Sequence, residues 1–231
     1  DLYRVALSAA EFPEEYRQMG IAGINKYEYL EKFTSGELMV STSQQIDLLE
    51  QRILGQSQSL RELQKLAKDK EKLLSCVPAI QPVHNKNLIH LVSGFGYRID
   101  PIYKTKRMHT GVDFTAEVGT EVYATGDGVI ELVETEAWGY GKCIVINHGF
   151  GYKTRYAHLS AFKIKQGQKI KRGELIGLIG NTGKSTGPHL HYEVELNGKK
   201  LDPVNFFHSD LTPEEYEKLI EMSQQSYKAF D

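Results

Sequence analysis

The sequence predicts an α+β fold, in which a mainly antiparallel β-sandwich or barrel lies between an N-terminal helical region and a C-terminal helix. Glycine usage is the first reason, because 17 of the 21 glycines lie between Gly94 and Gly198. Hydrophobic periodicity is the second, since it is helical in the first third of the chain and strand-like in the middle. We therefore divide the chain into residues 1–80, 81–207 and 208–231.

One long amphipathic helix is predicted at about residues 43–75. Apolar residues recur there at the a and d positions of a heptad, and Gln56 and Lys70 interrupt the d row. Sustained over about four heptads, this spacing favours a coiled coil or a helical hairpin, although a helix packed on its own domain explains it equally well. Such an arm could bind a protein partner or a second copy of itself. The row is Ile46, Leu49, Ile53, Leu60, Leu63, Ala67 and Leu74.

The middle segment contains short β-branched or aromatic runs separated by glycine turns, which is typical of a sandwich or barrel. The clearest runs are 121–124, 128–133, 143–147, 153–158, 174–179 and 189–196. After this segment, Thr212-Pro213-Glu214-Glu215 predicts the start of the C-terminal helix. Thr212 would cap the helix, Pro213 would occupy its first position, and the Glu215 side chain can hydrogen-bond back to the capping residue.

Composition excludes several classes of protein. No apolar run reaches the roughly 18 residues that span a bilayer, so membrane contact is expected only through a segment outside this sequence. A net charge of −2 argues against a nucleic-acid partner. Two cysteines, Cys76 and Cys143, are too few for a disulfide framework or a four-cysteine metal site. Whether they pair or remain free thiols is open.

The charge is unevenly distributed along the chain. Residues 81–207 carry 16 basic and 12 acidic side chains, a net of +4, whereas residues 1–80 have a net of −2 and residues 208–231 a net of −4. A cationic middle segment suits a substrate with free carboxylates.

The spacing of histidines indicates a metal site. His109 and Asp113 lie four residues apart around a glycine, and His189 and His191 would project from the same face of a strand. Two imidazoles and one carboxylate give Zn²⁺ three protein ligands and leave a fourth position for water, as a hydrolytic site requires. His158 is a third nearby candidate. Spacing alone does not say which of His189 and His191 binds the metal, and it also allows histidines with ordinary structural hydrogen bonds.

Seven motifs between Ser93 and Phe207 carry a resemblance to a known family. They are Ser93-Gly-Phe-Gly-Tyr-Arg98, His109-Thr-Gly-Val-Asp113-Phe, Gly126-Asp-Gly-Val129, Gly139-Tyr-Gly-Lys142, Tyr156-Ala-His158-Leu-Ser160, Gly180-Asn-Thr-Gly183 and Gly187-Pro-His189-Leu-His191-Tyr-Glu193. This segment, about half of the chain, resembles the catalytic domain of the lysostaphin-type, or LytM-like, zinc endopeptidases.

The resemblance implies a role for each residue of the histidine motifs. Zinc would be bound by His109, Asp113 and the second histidine of the pair, His191. His158 and His189 would flank the metal-bound water as base and transition-state stabiliser.

Two further residues are candidates. Some members of the family carry a tyrosine that stabilises the oxyanion, and Tyr103 takes this position six residues before His109. Arg98 could bind a substrate carboxylate, because arginine makes bidentate contacts with carboxylates. An ion pair of Arg98 with Asp100 or another loop acid is the structural alternative.

The resemblance implies a zinc metalloendopeptidase that hydrolyses peptide cross-links of bacterial peptidoglycan. A helical N-terminal region is similar to that of envelope-bound relatives in Gram-negative bacteria, which favours D,D-endopeptidase activity. It also favours a location in the periplasm or cell envelope, with an anchor or signal upstream of residue 1. The alternative is a non-catalytic or latent relative that binds peptidoglycan or activates a wall amidase. In a latent form, the N-terminal region or the loop around Asn85 and Asn87 would cover the cleft.

Overall fold

A computed structural model describes residues 26–84, 91–100, 104–207, 209 and 211–224. The loop around Asn85 and Asn87 lies outside the described residues. Contacts divide the chain into two compact units, Asp1–Lys72 and Leu73–Asp231.

The long helix α1 is Gly36–Cys76, and a 3-10 turn at Glu28–Leu30 precedes it. It begins seven residues before the predicted start at residue 43, so Ser41, Thr42 and Ser43 lie inside the helix and not at its N-terminus. The Thr42 hydroxyl instead donates to the backbone oxygen of Leu38 at 2.8 Å, inside the helix. Among the described residues, no helix is long and apolar enough to cross a membrane.

Several apolar side chains of the heptad row are exposed to solvent along α1. Ile46, Ile53, Leu60 and Leu74 are between 52% and 65% exposed. This exposure is compatible with a coiled coil, which stays a prediction.

The unit Leu73–Asp231 is built on antiparallel strands, as predicted. Its strands are β1 Leu91–Ser93, β2 Gly96–Ile99, β3 Lys106–His109, β4 Val112–Thr115, β5 Glu121–Tyr123, β6 Gly128–Thr135, β7 Lys142–Gly149, β8 Tyr152–Ala157, β9 Leu159–Phe162, β10 Lys169–Ile170, β11 Leu175–Ile179, β12 His189–Leu196 and β13 Lys199–Leu201. The main sheet has the order β1-β4-β12-β8-β7-β6-β10, with β13 paired to β12. Smaller sheets have the order β5-β11-β9 and β2-β3.

The hydrophobic core lies on one face of the main sheet. Leu190, Tyr192 and Val194 of β12 belong to it, and each is fully buried. Because side chains alternate along a strand, the remaining residues of β12 project to the opposite face. His189 and His191 are therefore presented on that face, where His191 lines a cleft.

The C-terminal helix α2 is Pro213–Gln224, and its predicted capping box is confirmed. The backbone N–H of Thr212 donates to the Glu215 carboxylate at 2.9 Å, and the N–H of Glu215 donates to the Thr212 hydroxyl at 3.2 Å. Leu219 of α2 is fully buried in the core of the sheet unit. Cys76 and Cys143 are both buried free thiols.

Candidate metal centre

Three donor atoms form a small triangle on the cleft side of the main sheet. Nε2 of His109, Oδ1 of Asp113 and Nδ1 of His191 lie 3.1 Å from one another in all three pairs. Ligand atoms about 2.0–2.2 Å from a tetrahedral zinc lie roughly 3.3–3.6 Å apart, so the triangle is close to one face of such a tetrahedron. All three residues are buried, and they form a candidate metal site. The donor set fits a divalent metal.

Strand pairing explains why residues so distant in sequence converge. His191 of β12 is paired directly with Asp113 of β4. His109 ends β3, and two residues separate it from Val112, where β4 begins. Gly111 in this link is required, because a Cβ there would lie 2.3 Å from the Tyr192 backbone oxygen and 3.0 Å from the His191 ring.

Hydrogen bonds behind the two histidines set their tautomers. Nδ1 of His109 lies 2.7 Å from the Gly94 backbone oxygen, and Nε2 of His191 lies 3.2 Å from Oε1 of Glu193. Because a carbonyl oxygen and a carboxylate only accept, these ring nitrogens carry the protons. Nε2 of His109 and Nδ1 of His191 therefore present lone pairs to the centre of the triangle.

His158 and His189 stand beside the triangle as a matched pair. Their ring centroids are 4.6 Å apart, and both residues are buried. Nδ1 of His158 faces the Thr182 backbone oxygen and Nδ1 of His189 faces that of Gly187, each at 2.8 Å. In both rings the proton is therefore on Nδ1 and the lone pair on Nε2. Nε2 of His189 lies 4.0 Å from Oδ1 of Asp113, which places this lone pair at the edge of the site.

His158 has an unusual backbone conformation. Its φ is +61°, in the left-handed region that non-glycine residues rarely adopt. Its N–H donates to the Tyr140 backbone oxygen at 2.9 Å, which ties the strained residue to the loop that follows β6. Strain of this kind is frequent at functional sites, where surrounding contacts hold the residue in place.

Of the two further candidates, Arg98 and Tyr103, the structure describes Arg98. Nη2 of Arg98 donates to Oδ2 of Asp113 at 3.2 Å, and its side chain is 8% exposed. The guanidinium thus contacts the Asp113 oxygen outside the donor triangle, and a role in binding substrate stays a prediction. Tyr103 lies outside the described residues.

Glu193 is a residue of the site whose role was not predicted from the sequence. Its carboxylate accepts hydrogen bonds from Thr110, Tyr140 and Lys200 as well as from His191. Burial alone would raise the pKa of Glu193, but the hydrogen bonds and positive charge of its partners hold it below the ordinary value. A signal was present in the sequence: His189, His191 and Glu193 alternate on β12 and must share one face.

Two residues of the triangle, His109 and His191, line a cleft of about 480 Å³. Its lining combines aromatic side chains with an excess of cations over acids: Arg98, Asp100, Arg107, Met108, His109, Thr110, Trp138, Gly139, Tyr140, His158, Lys184 and His191. Trp138 is 78% exposed, whereas Lys184 and Arg107 both approach the buried Asp100 carboxylate, at 2.7 Å and 3.5 Å. The cleft can bind an extended polar ligand that carries negative charge.

Comparisons with known proteins identify the family of the chain. The model of peptidase family M23 matches residues 107–203. The catalytic domain of the antimicrobial peptidase lysostaphin from Staphylococcus simulans is 36% identical, with a TM-score of 0.46; the match covers 50% of this chain and 91% of that one. The chain belongs to peptidase family M23. The assignment rests on the identity over nearly the whole lysostaphin domain.

Longer M23 relatives match just under half of the chain. The DD-carboxypeptidase/endopeptidase Mpg of Neisseria meningitidis is 51% identical over 113 residues, which are 49% of this chain and 26% of the relative. The peptidoglycan DD-endopeptidase ShyA of Vibrio cholerae is 48% identical over 108 residues, which are 47% of this chain and 24% of the relative. The chain therefore matches about a quarter of the length of each of these curated relatives.

Proposed function

We propose that this M23 protein is a zinc-dependent endopeptidase that hydrolyses peptide cross-links of bacterial peptidoglycan, with D,D-endopeptidase specificity. The observation that carries the proposal is the donor triangle of His109, Asp113 and His191 beside two further imidazoles of matched tautomer. A purely structural cluster would not need three of these five groups, His109, His158 and His191, in the lining of a cleft.

Zinc is the metal that the donors favour. Two neutral imidazoles and one carboxylate on three corners of a tetrahedron are a common ligand set of catalytic zinc sites, in which the fourth corner is open to water or substrate. When bound there, zinc supplies Lewis-acid polarisation and a water of lowered pKa.

His158 and His189 would perform the proton chemistry. Each Nε2 has a lone pair, so either ring can accept the proton of the attacking water. The resulting imidazolium can donate a hydrogen bond to the oxygen that becomes negatively charged, or pass its proton to the leaving amine. The Thr182 and Gly187 carbonyl oxygens hold Nδ1 of the two rings throughout, which fixes the direction of each Nε2.

Two observations support peptidoglycan as the substrate: the names of similar proteins and the charge of the cleft. One relative, 51% identical over the matched residues, is named a DD-carboxypeptidase/endopeptidase, and another, 48% identical, is named a peptidoglycan DD-endopeptidase. The lining of the cleft adds the side chains of Arg107 and Lys184 around the single Asp100 carboxylate. This excess of positive charge suits the free carboxylates of stem peptides.

Location and partners follow from the substrate. We propose that the protein acts in the periplasm or cell envelope, where peptidoglycan lies. The apolar row of α1 is the surface proposed for a protein partner or a second copy of the chain, since five of its seven side chains are more than half exposed: Ile46, Leu49, Ile53, Leu60 and Leu74.

Digestion of cross-linked muropeptides by the zinc-loaded full chain tests the proposal. We expect cleavage of the cross-link by the wild type and its loss in His109→Ala together with the bound zinc. His84→Ala is the matched control, because His84 is exposed and stacks on Tyr123 at 4.6 Å rather than joining the triangle. An inert zinc-loaded wild type would refute the proposal; stimulation of an amidase by His109→Ala would then favour a regulatory role.

A further inference from the structure

Glu193 is a buried carboxylate at which side chains from four parts of the fold meet. It lies on β12 two residues beyond His191, and its side chain is 1% exposed. Thr110 follows β3, Tyr140 lies between β6 and β7, Arg155 is on β8 and Lys200 is on β13. We propose that Glu193 is a positioning residue: it sets the tautomer of His191 and so determines the affinity of the site for its metal.

The two oxygens of Glu193 have different partners. Oε1 lies 3.2 Å from Nε2 of His191 and 3.0 Å from the Tyr140 hydroxyl. Oε2 lies 2.9 Å from Nζ of Lys200 and 3.4 Å from Nε of Arg155. One oxygen thus contacts the metal ligand, while the other contacts the two cations.

The different partners of the two oxygens explain how the charged Glu193 carboxylate can be buried and how it acts on His191. An isolated buried carboxylate would be costly, and Lys200 and Arg155 offset that cost. Oε1 is then a fixed acceptor that requires a proton on Nε2 of His191. The lone pair is left on Nδ1, the atom in the donor triangle. With the opposite tautomer, an N–H would point at the metal position and binding would be blocked.

Strand β12 provides a matched neighbour for comparison. Glu195 lies two residues further along, and its carboxylate is also 2.9 Å from Nζ of Lys200. Its side chain is 25% exposed, and it lies four residues from His191 rather than two. Glu195→Gln therefore removes a carboxylate beside the same lysine without changing the acceptor that faces His191.

The test variant is Glu193→Gln, which keeps the shape of the side chain. If its amide oxygen faced His191, its NH₂ group would face the donors Lys200 and Arg155. If it turned over, the NH₂ group would face Nε2 and favour the wrong tautomer of His191. We expect the affinity for Zn²⁺, measured in the full chain by competition with a chelator, to fall about 10–100-fold. Glu195→Gln should keep the wild-type affinity.

A second measurement reads the tautomer itself. Long-range nitrogen-15 correlation spectra of the metal-free full chain should show the His191 proton on Nε2 in the wild type and in Glu195→Gln. In Glu193→Gln the proton should move to Nδ1 in a substantial fraction of molecules. If Glu193→Gln does not fold, Glu193→Asp serves instead, because it keeps the charge but draws the acceptor back by one methylene.

The inference rests on the proposed metal site but not on cleavage of peptidoglycan, so neither readout needs an active enzyme. It is overturned if the Glu193 variants keep the wild-type affinity, or lose affinity with the tautomer unchanged. An equal loss in Glu195→Gln would also overturn it. Loss of muropeptide cleavage with the affinity and tautomer as expected would count against the proposed function alone.

Discussion

The imidazoles of His158 and His189 have Nδ1 hydrogen-bonded to backbone oxygens. The centroid of the His158 ring lies 6.0 Å from that of His191, and Nε2 of His189 lies 4.0 Å from Oδ1 of Asp113. Because neither belongs to the donor triangle, we expect His158→Gln and His189→Gln to retain bound zinc. Each should lower the rate of muropeptide cleavage about 100- to 10,000-fold, the usual contribution of general acid–base catalysis. Metal content and initial rates measured on the same preparations check this. A variant that cleaves at the wild-type rate would remove that residue from the mechanism.

His148 is a buried histidine with a different role. Nδ1 faces the Asp127 backbone oxygen and Nε2 faces the Thr154 hydroxyl, each at 2.8 Å. Burial, which outweighs its hydrogen bonds, lowers the pKa of His148 from 6.5 to about 4. Sequence analysis had not assigned it to the site, and these contacts give it a structural role.

The depressed pKa of His148 predicts that acid destabilises the fold. Between pH 6.5 and about 4 the unfolded chain binds the proton and the folded chain does not, so the free energy of unfolding falls as pH is lowered through this window. The loss should approach about 3 kcal/mol below pH 4. Urea unfolding of the metal-free protein at several pH values checks this. His148→Gln should have a shallower slope, and the exposed His84→Gln should parallel the wild type; equal slopes for all three would contradict the assignment.

At the scale of elements, the end of α1 is held by an arginine from the sheet unit. Nη2 of Arg172 donates to the backbone oxygens of Leu74, Ser75 and Val77, at 2.5, 3.1 and 2.9 Å. The last carbonyl groups of a helix have no partners within it, so this guanidinium caps the final turn of α1, which belongs to the same compact unit, Leu73–Asp231, as Arg172.

Removing this cap should destabilise the protein. We expect Arg172→Met to lower the free energy of unfolding by about 1–3 kcal/mol, because three carbonyl groups lose a charged donor. The neighbouring Lys171 is the control: it is 74% exposed and pairs with Asp127, so Lys171→Met should change stability little. Urea unfolding followed by circular dichroism measures both. Equal effects of the two substitutions would show that the contact to α1 contributes nothing specific.

The type of each element could be predicted from the sequence better than its ends. Glycine turns and β-branched runs predicted the antiparallel strands, and β12 was predicted with the observed bounds, His189–Leu196. The start of α1 was missed because Thr42 satisfies its hydroxyl within the helix, which composition does not reveal. The C-terminal helix was predicted well because its capping signal is local.

At the scale of the whole molecule, strand pairing brings the site together. The motifs predicted which residues belong to it, whereas pairing of His191 with Asp113 supplies the distance that spacing could not. The partners of Arg98 and Glu193 depend on long-range packing, so the sequence did not reveal them. The predicted boundary at residue 81 also differs from the compact unit, which begins at Leu73. Ser75 and Ala79 explain the difference, because Ser75 accepts a backbone hydrogen bond from Asp127, and Ala79 is buried and donates its N–H to the Thr125 oxygen.

The central claim is that one zinc ion is bound by three specified atoms. Anomalous diffraction at the zinc edge, from crystals of the zinc-loaded full chain, tests it most directly. We expect a single strong peak about 2.0–2.2 Å from Nε2 of His109, Oδ1 of Asp113 and Nδ1 of His191, with His158 and His189 outside the ligand set. No peak at the triangle, or a zinc bound through His158 or His189 in place of one of these residues, would contradict the account.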